Sequence, residues 1–328
     1  MKKKWSLKNI WQILKAAFKG FSDDKVAKLS ASLAYFTIFS IGPMLIVVIF
    51  FANLFYGREA VEGTIFGQIK GFVGADAAAQ IQAIIKSASL SGKSSVMAVV
   101  GFVTLIIGAT SVFSEIQDSI NMIWNLKPKP KKGWLKMLIN RLLSFSVVVG
   151  LGFLLLVSLV VTGLVEALSN RLYHIFPDIT VALVYIVNLI ITFSVITLLF
   201  AVIFKVLPDA RIKWRDVFTG AVATAILFML GKFGISFYIG SSNVDSTYGT
   251  AGSLVVILLW IYYSSLILYF GAEFTKAYAA RHGSHIEPNH YAVWVKQVEV
   301  EENGGSLKDL EQKKKEENEN TGDHITVK

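Results

Sequence analysis

The side chains best placed to do chemistry in this chain lie inside long apolar runs. Lys232 sits within Val217–Ile239, between Gly231 and Gly234. Glu166 closes a second run, and Asn188 and Thr192 share a third at a four-residue spacing that puts them on one helical face. Together these could form one polar cluster facing a cavity. An ionisable group at bilayer depth costs about 2.5–3.5 kcal/mol on insertion scales. It is therefore kept for a function, or it extends its stem so that the charge reaches the interface. Ser111, Glu115, Asp118, Asn121 and Asn125 make a second polar face at three- and four-residue spacing. Either that face is structural and pairs with Arg141 or Arg211, or it lines a gate or binding site.

Nothing points to catalysis. The five histidines are His174, His282, His285, His290 and His324. His282 and His285 have a ligating spacing, but no third ligand accompanies them. There are no cysteines, which excludes disulfide frameworks, cysteine zinc sites and thiol nucleophiles. No nucleophile elbow, phosphate-binding loop or zinc-protease helix is present. The sequence gives no reason to expect a catalytic residue, a metal or a cofactor.

The elements that must position these residues follow from composition. Of 328 residues, 54% are hydrophobic and 17% charged, against roughly 25% charged in an ordinary soluble domain. Six stretches approach the roughly 20 residues that a helix needs to cross a bilayer: Leu33–Phe55, Val96–Phe113, Leu142–Leu168, Val181–Phe204, Val217–Ile239 and Ser253–Phe274. Their length and lack of alternation argue against strands. Alternate connections, counting the two terminal segments, hold 26 and 5 of the Lys and Arg residues. By the positive-inside rule the chain is an all-α polytopic membrane protein with six transmembrane helices and both termini cytoplasmic. The formal charge of +9 is then topogenic. Its expected partner is the anionic inner leaflet, not nucleic acid.

Three regions are expected. Residues 1–32 form a basic cytoplasmic arm. Leu7, Trp11, Leu14, Phe18 and Phe21 recur at helical spacing among Lys2, Lys3, Lys4, Lys8, Lys15 and Lys19. This helix either lies in the inner-leaflet interface or packs on the ends of the bundle. Residues 33–283 form the membrane domain, with two short capping helices in the external segment of about 57–95. From 284 to 328 the chain becomes a charged, disordered cytoplasmic tail, most sharply from Glu299. Pro43 should kink the first span. The uncharged loop Ser246–Ser253 is either a packing element or faces substrate.

Five short pieces carry a family resemblance. They are Ala31–Tyr35 with Ser40 and Pro43; Ile116–Asn121 with Trp124; and Leu207-Pro208 with Trp214, Gly220 and Ala221. The last two are Thr247-Tyr248-Gly249 leading to Leu258, Leu259, Trp260 and Tyr262, and Gly271-Ala272-Glu273. In order and spacing they resemble the YihY/BrkB family of bacterial inner-membrane proteins, once labelled ribonuclease BN, over about Lys28 to Ala280. The resemblance implies six membrane helices and an envelope role. It supplies no settled activity, and no residue here supports the ribonuclease label. Two functions fit: a transporter or lipid-handling protein with an unnamed substrate, or a non-transporting scaffold for envelope assembly. Either is compatible with a homo-oligomer.

Overall fold

The computed structural model describes residues 7–55, 79, 95–129, 177–241, 252–282 and 285–295. The compact unit considered below ends at Trp294. In chain order the described elements are α1 (Leu7–Asp23), α2 (Val26–Phe55), α3 (Ser95–Ile123), β1 (Leu126–Pro128), α4 (Pro177–Val206), β2 (Ala210–Arg211), α5 (Trp214–Ser241), α6 (Gly252–Arg281), β3 (Glu287–Pro288) and β4 (Ala292–Trp294).

Three helices are long and apolar enough to span a bilayer: Leu183–Val206, Trp214–Tyr238 and Leu254–Arg281. They correspond to the fourth, fifth and sixth expected spans. The first two expected runs lie within α2 and α3. Leu142–Leu168 and nearly all of the external segment fall outside the described residues. The surface of the helices is inverted relative to a soluble protein. On α4, Leu183, Ile186, Ile190 and Leu198 are exposed, and on α5 Phe218, Ile226, Leu230, Phe233 and Phe237 are exposed, Phe237 to 78%. Such continuous apolar stripes suit lipid as the surrounding solvent and helices as the spanning form, since a helix satisfies its own backbone.

One core gathers at a single end of the bundle. It joins Val26 and Leu33 of α2 to Ile120, Ile123 and Trp124. From the other helices it takes Phe200, Phe204 and Leu207, Val217 and Ala221, and Tyr269 and Ala272. The start of α2, the ends of α3 and α4, the start of α5 and the latter part of α6 therefore meet there. It follows that α2 and α5 run away from this end while α3, α4 and α6 run toward it. Most described charged residues also sit at this polar end; Lys232, and Asp178 in the first turn of α4, do not.

Two left-handed residues shape the turns. Lys25, at φ 52°, ends α1, and Asn125, at φ 56°, ends α3. Asparagine tolerates this conformation, so Asn125 acts as a helix stop. Helix α2 continues through Gly42-Pro43 as one element. Beyond α6 the chain folds back. Strand β4 pairs antiparallel with β1, Leu126 opposite Trp294, and β3 pairs with β2, Ala210 opposite Pro288. The segment His285–Trp294, assigned by composition to the tail, thus stitches together the connections that follow α3 and α4.

Helix α1 packs on the bundle. Ile13 and Ala17 are buried against Phe270, Phe274 and Tyr278. Phe18 and Phe21 reach Phe270, with ring centroids 4.8 and 6.2 Å apart. At the other end Arg281 donates to Asn9 Oδ1 at 2.8 Å and also to Gln12. As α1 numbers rise, their α6 partners fall. α1 therefore runs antiparallel beside roughly the last three turns of α6, about 16 Å at 1.5 Å per residue.

Candidate functional site

The polar end holds a buried carboxylate seat. Asp209, 2% exposed, follows Pro208 in the turn between α4 and β2. Gln117 Nε2 donates to its Oδ1 and Asn121 Nδ2 to its Oδ2, each at 3.0 Å. The Asp209 amide returns a bond to Asn121 Oδ1 at 2.8 Å, and the Asn289 amide donates to its carbonyl at 3.0 Å. One turn apart on α3, Gln117 and Asn121 present two amides to a single carboxylate. Bonds to an ionised acceptor are stronger than neutral ones, which keeps this anion tolerable in a buried place. Partial burial raises the pKa of the neighbouring Tyr291 phenol, and the Asp209 charge adds to the effect.

This corrects the expected pairing of the α3 polar face. Of its five expected members only Asn121 is buried, and its partner, shared with Gln117 of the same helix, is an acid. Arg211 turns instead to His290, and Arg141 is outside the described residues. Asp118 is exposed and Glu115 half-buried, so the expected face divides between interior and surface. Sequence reasoning missed Asp209 because it stands among Lys205, Arg211, Lys213 and Arg215 and reads as an ordinary loop charge. Its place directly after the motif residue Pro208 was the available signal. His282 stacks on Tyr278 at 4.1 Å, and no group of three metal-ligating side chains occurs among the described residues.

A second buried acid is Glu273, 2% exposed, the last position of the Gly271-Ala272-Glu273 motif. It lies against Gly20 of α1, where any Cβ would overlap its carboxyl group. Lys276 Nζ stands 3.8 Å from Glu273 Oε2 and 3.2 Å from Asp24 Oδ2. Glu273 Oε1 is buried without a hydrogen-bond partner. The same holds for both carboxylate oxygens of Asp216 in the first turn of α5, where the helix N-terminus favours an anion.

The motif glycines hold α5 against α6. A Cβ at Gly220 would overlap Thr275 Oγ1, and one at Gly271 would overlap Thr224 Oγ1. Each threonine hydroxyl donates to the carbonyl four residues back, Thr224 to Gly220 and Thr275 to Gly271, both at 2.7 Å. Two Gly-x-x-x-Thr patterns thus interlock reciprocally, the close approach that small residues allow. Trp124 Nε1 donates to the Ala272 carbonyl at 3.1 Å and pins α3 to the same layer. Among the other motif positions, Trp260 packs on Phe228 with centroids 5.6 Å apart. Tyr35 is exposed beside Phe39, at 4.8 Å. The Pro43 side chain, Tyr248 and Gly249 are outside the described residues.

In the other half of the bundle, Lys232 is half-buried. Phe200 and Phe228, 5.8 Å apart, set the register between antiparallel α4 and α5. Counting from them, Lys232 is level with Ile196. Thr192 then lies about 6 Å and Asn188 about 12 Å further along the axis. Thr192 is in the neighbouring layer and Asn188 is a turn beyond it, while Glu166 is outside the described residues. Gly231 admits the Tyr263 hydroxyl, whereas Gly234 faces open space.

The family model described as virulence factor BrkB matches residues 17–293. A UPF0761 membrane protein of Stenotrophomonas maltophilia is 27% identical over 266 residues, covering 79% of this chain and 59% of the relative. One from Pseudoalteromonas atlantica is 27% identical over 254 residues, covering 77% and 81%. Another from Pseudomonas aeruginosa is 30% identical over 259 residues, covering 77% and 59%. The chain thus spans about three-fifths of the length of the first and third of these relatives. No solved structure matches.

Proposed function

The chain belongs to the family described as virulence factor BrkB, and from that premise we propose that this multi-pass bacterial membrane protein is a transporter or lipid-handling protein of the envelope. Its substrate binds in the half of the bundle that holds Lys232. One observation carries the reading. Lys232 is half-buried in a membrane-spanning helix, on the side of α5 that Phe228 turns to α4, while most of the other described charges gather at the polar end. An ionisable residue kept inside a span is a functional candidate by default.

Six spans with both termini in the cytoplasm complete the proposal. The shared direction of α3 and α4 supports a further crossing between them. Leu142–Leu168 is the segment apolar enough to make it. The polar end then faces the cytoplasm and the anionic inner leaflet, in accord with the 26 to 5 distribution of Lys and Arg. The protein needs no cofactor, nucleic acid or catalysis in this reading. The alternative is a non-transporting envelope scaffold, favoured by the lack of a metal-ligating cluster among the described residues.

The test is flux across liposomes containing the purified protein, assayed with lipids and small solutes. Flux should be lost in Lys232→Met and poorly restored by Lys232→Arg, whose planar head has a different shape. In cells, Lys232→Met should lose the envelope function at normal membrane abundance. Full complementation by Lys232→Met would sink the reading, as would binding with no flux.

A further inference from the structure

The connection from α4 to α5 carries an aromatic and basic surface that packing does not explain. Trp214, one of the motif positions, opens α5 and is 60% exposed. Phe218, one turn on, is 54% exposed. Lys213 and Arg215 flank Trp214 and are exposed as well. Lys205, in the last turn of α4, reaches across the connection. Its ammonium donates to the Ile212 carbonyl at 2.5 Å and stands 5.5 Å from the centre of the Trp214 ring. These two contacts hold the indole in place at the surface.

The acids of this connection do not neutralise its cations. Asp209 is enclosed by the amides of Gln117 and Asn121. Asp216 is fully buried and lies 3.6 Å from Arg215 Nε, with the Arg215 side chain still 59% exposed. The surface also continues into the membrane. Phe218, Ile226, Phe233 and Phe237 are all exposed, and at 3.6 residues per turn they share one sector of α5 with Arg215. From Arg215 to Ile226 the helix rises about 16 Å, close to half of the ~30 Å hydrocarbon core and so the depth of one leaflet.

We infer that this surface is a binding site for an anionic phospholipid. The acyl chains lie along the exposed sector of α5 from Phe218 outward. The Trp214 indole sits at the level of the glycerol esters, where its apolar body and single donor are both satisfied. Lys213 and Arg215 hold the headgroup phosphate, and a guanidinium can meet two of its oxygens at once. Lys205 is a positioning residue that fixes the indole. A zwitterionic headgroup brings its own cation to the site and leaves the cluster uncompensated, so a lipid of net negative charge is preferred. The site lies at the polar end, apart from Lys232, and holds for a transporter and a scaffold alike.

The test uses the full-length protein in phosphatidylcholine vesicles that contain a minor fraction of brominated phosphatidylglycerol or of brominated phosphatidylcholine. Bromine quenches an indole that it touches, and the difference between the parent and Trp214→Phe isolates Trp214 from the other tryptophans. Its quenching should favour phosphatidylglycerol by about fivefold or more, since each basic residue near the headgroups contributes about that factor. Lys213→Gln combined with Arg215→Gln should bring the ratio close to one. Lys8→Gln combined with Lys15→Gln removes the same charge from exposed positions of α1 and should leave the ratio unchanged. Equal quenching by the two lipids in the parent would overturn the proposal. So would a preference that survives the loss of Lys213 and Arg215. A preference lost equally in the α1 variant would overturn it too, because it would then belong to the charged surface at large. If inorganic phosphate abolished the preference where chloride of the same ionic strength did not, the occupant would be a soluble phosphate compound and the lipid would be refuted.

Discussion

Asp209→Ala gives the sharpest test of the polar end. The substitution removes both carboxylate oxygens and leaves Gln117 Nε2 and Asn121 Nδ2, now bonded at 3.0 Å each, without acceptors. A buried donor left unpaired costs about 1–3 kcal/mol, so two give about 2–6 kcal/mol. Two effects pull toward the lower half of that range. Gln117 is 9% exposed and can turn to water, and deleting a buried anion recovers its own desolvation. The expected loss is therefore about 2–4 kcal/mol. Asp209→Asn keeps one acceptor and opposes an amide to an amide, so it should cost about half as much. The backbone bonds of residue 209 to Asn121 and Asn289 survive in both variants, so the effect isolates the carboxylate. Unfolding of the detergent-solubilised protein, followed by far-ultraviolet circular dichroism, measures it. A change within about 0.5 kcal/mol, the scale of a neutral surface substitution, would refute the account of Asp209 as a structural seat. Parent-like stability with lost activity would make it a binding residue instead.

Three further outcomes are expected. Gly220→Ala forces a Cβ to within 2.9 Å of Thr275 Cβ and should cost about 1–3 kcal/mol. In the double variant with Thr275→Ala much of that loss should return, and strict additivity in the cycle would show that the helices do not interlock there. Cysteines at Ser91 and Ser242 should be labelled by an impermeant reagent applied to whole cells, whereas cysteines at Ser6 and Lys131 should be silent; the opposite pattern would invert the topology. Deleting Glu299–Lys328 should leave insertion and folding intact, because the segment lacks apolar surface to bury. Loss of the protein from the membrane after that truncation would show that the tail packs on the bundle.

The long apolar runs and their charge asymmetry are properties of composition and order along the chain. They were legible without a structure because a bilayer acts on each segment separately: twenty apolar residues make a spanning helix whatever surrounds them. The family motifs were legible too, though not their roles. Gly220 and Gly271 read as generic small residues until antiparallel α5 and α6 set each glycine against the other helix's threonine. Glu273 read as a motif position, and Asp24 drew no notice within the basic arm; only the fold put both beside the Lys276 ammonium. The α3 polar face was seen as spacing, but spacing cannot tell which members turn inward, and its partner proved to be an acid 88 residues away from Asn121. Likewise, the lateral neighbours of α1 could not be read from its amphipathic pattern, because a lipid surface and a helix surface present the same apolar face to it. Tertiary structure decided these matters because they depend on which residues of distant segments meet, and burial between helices, unlike insertion into lipid, is a joint property of both.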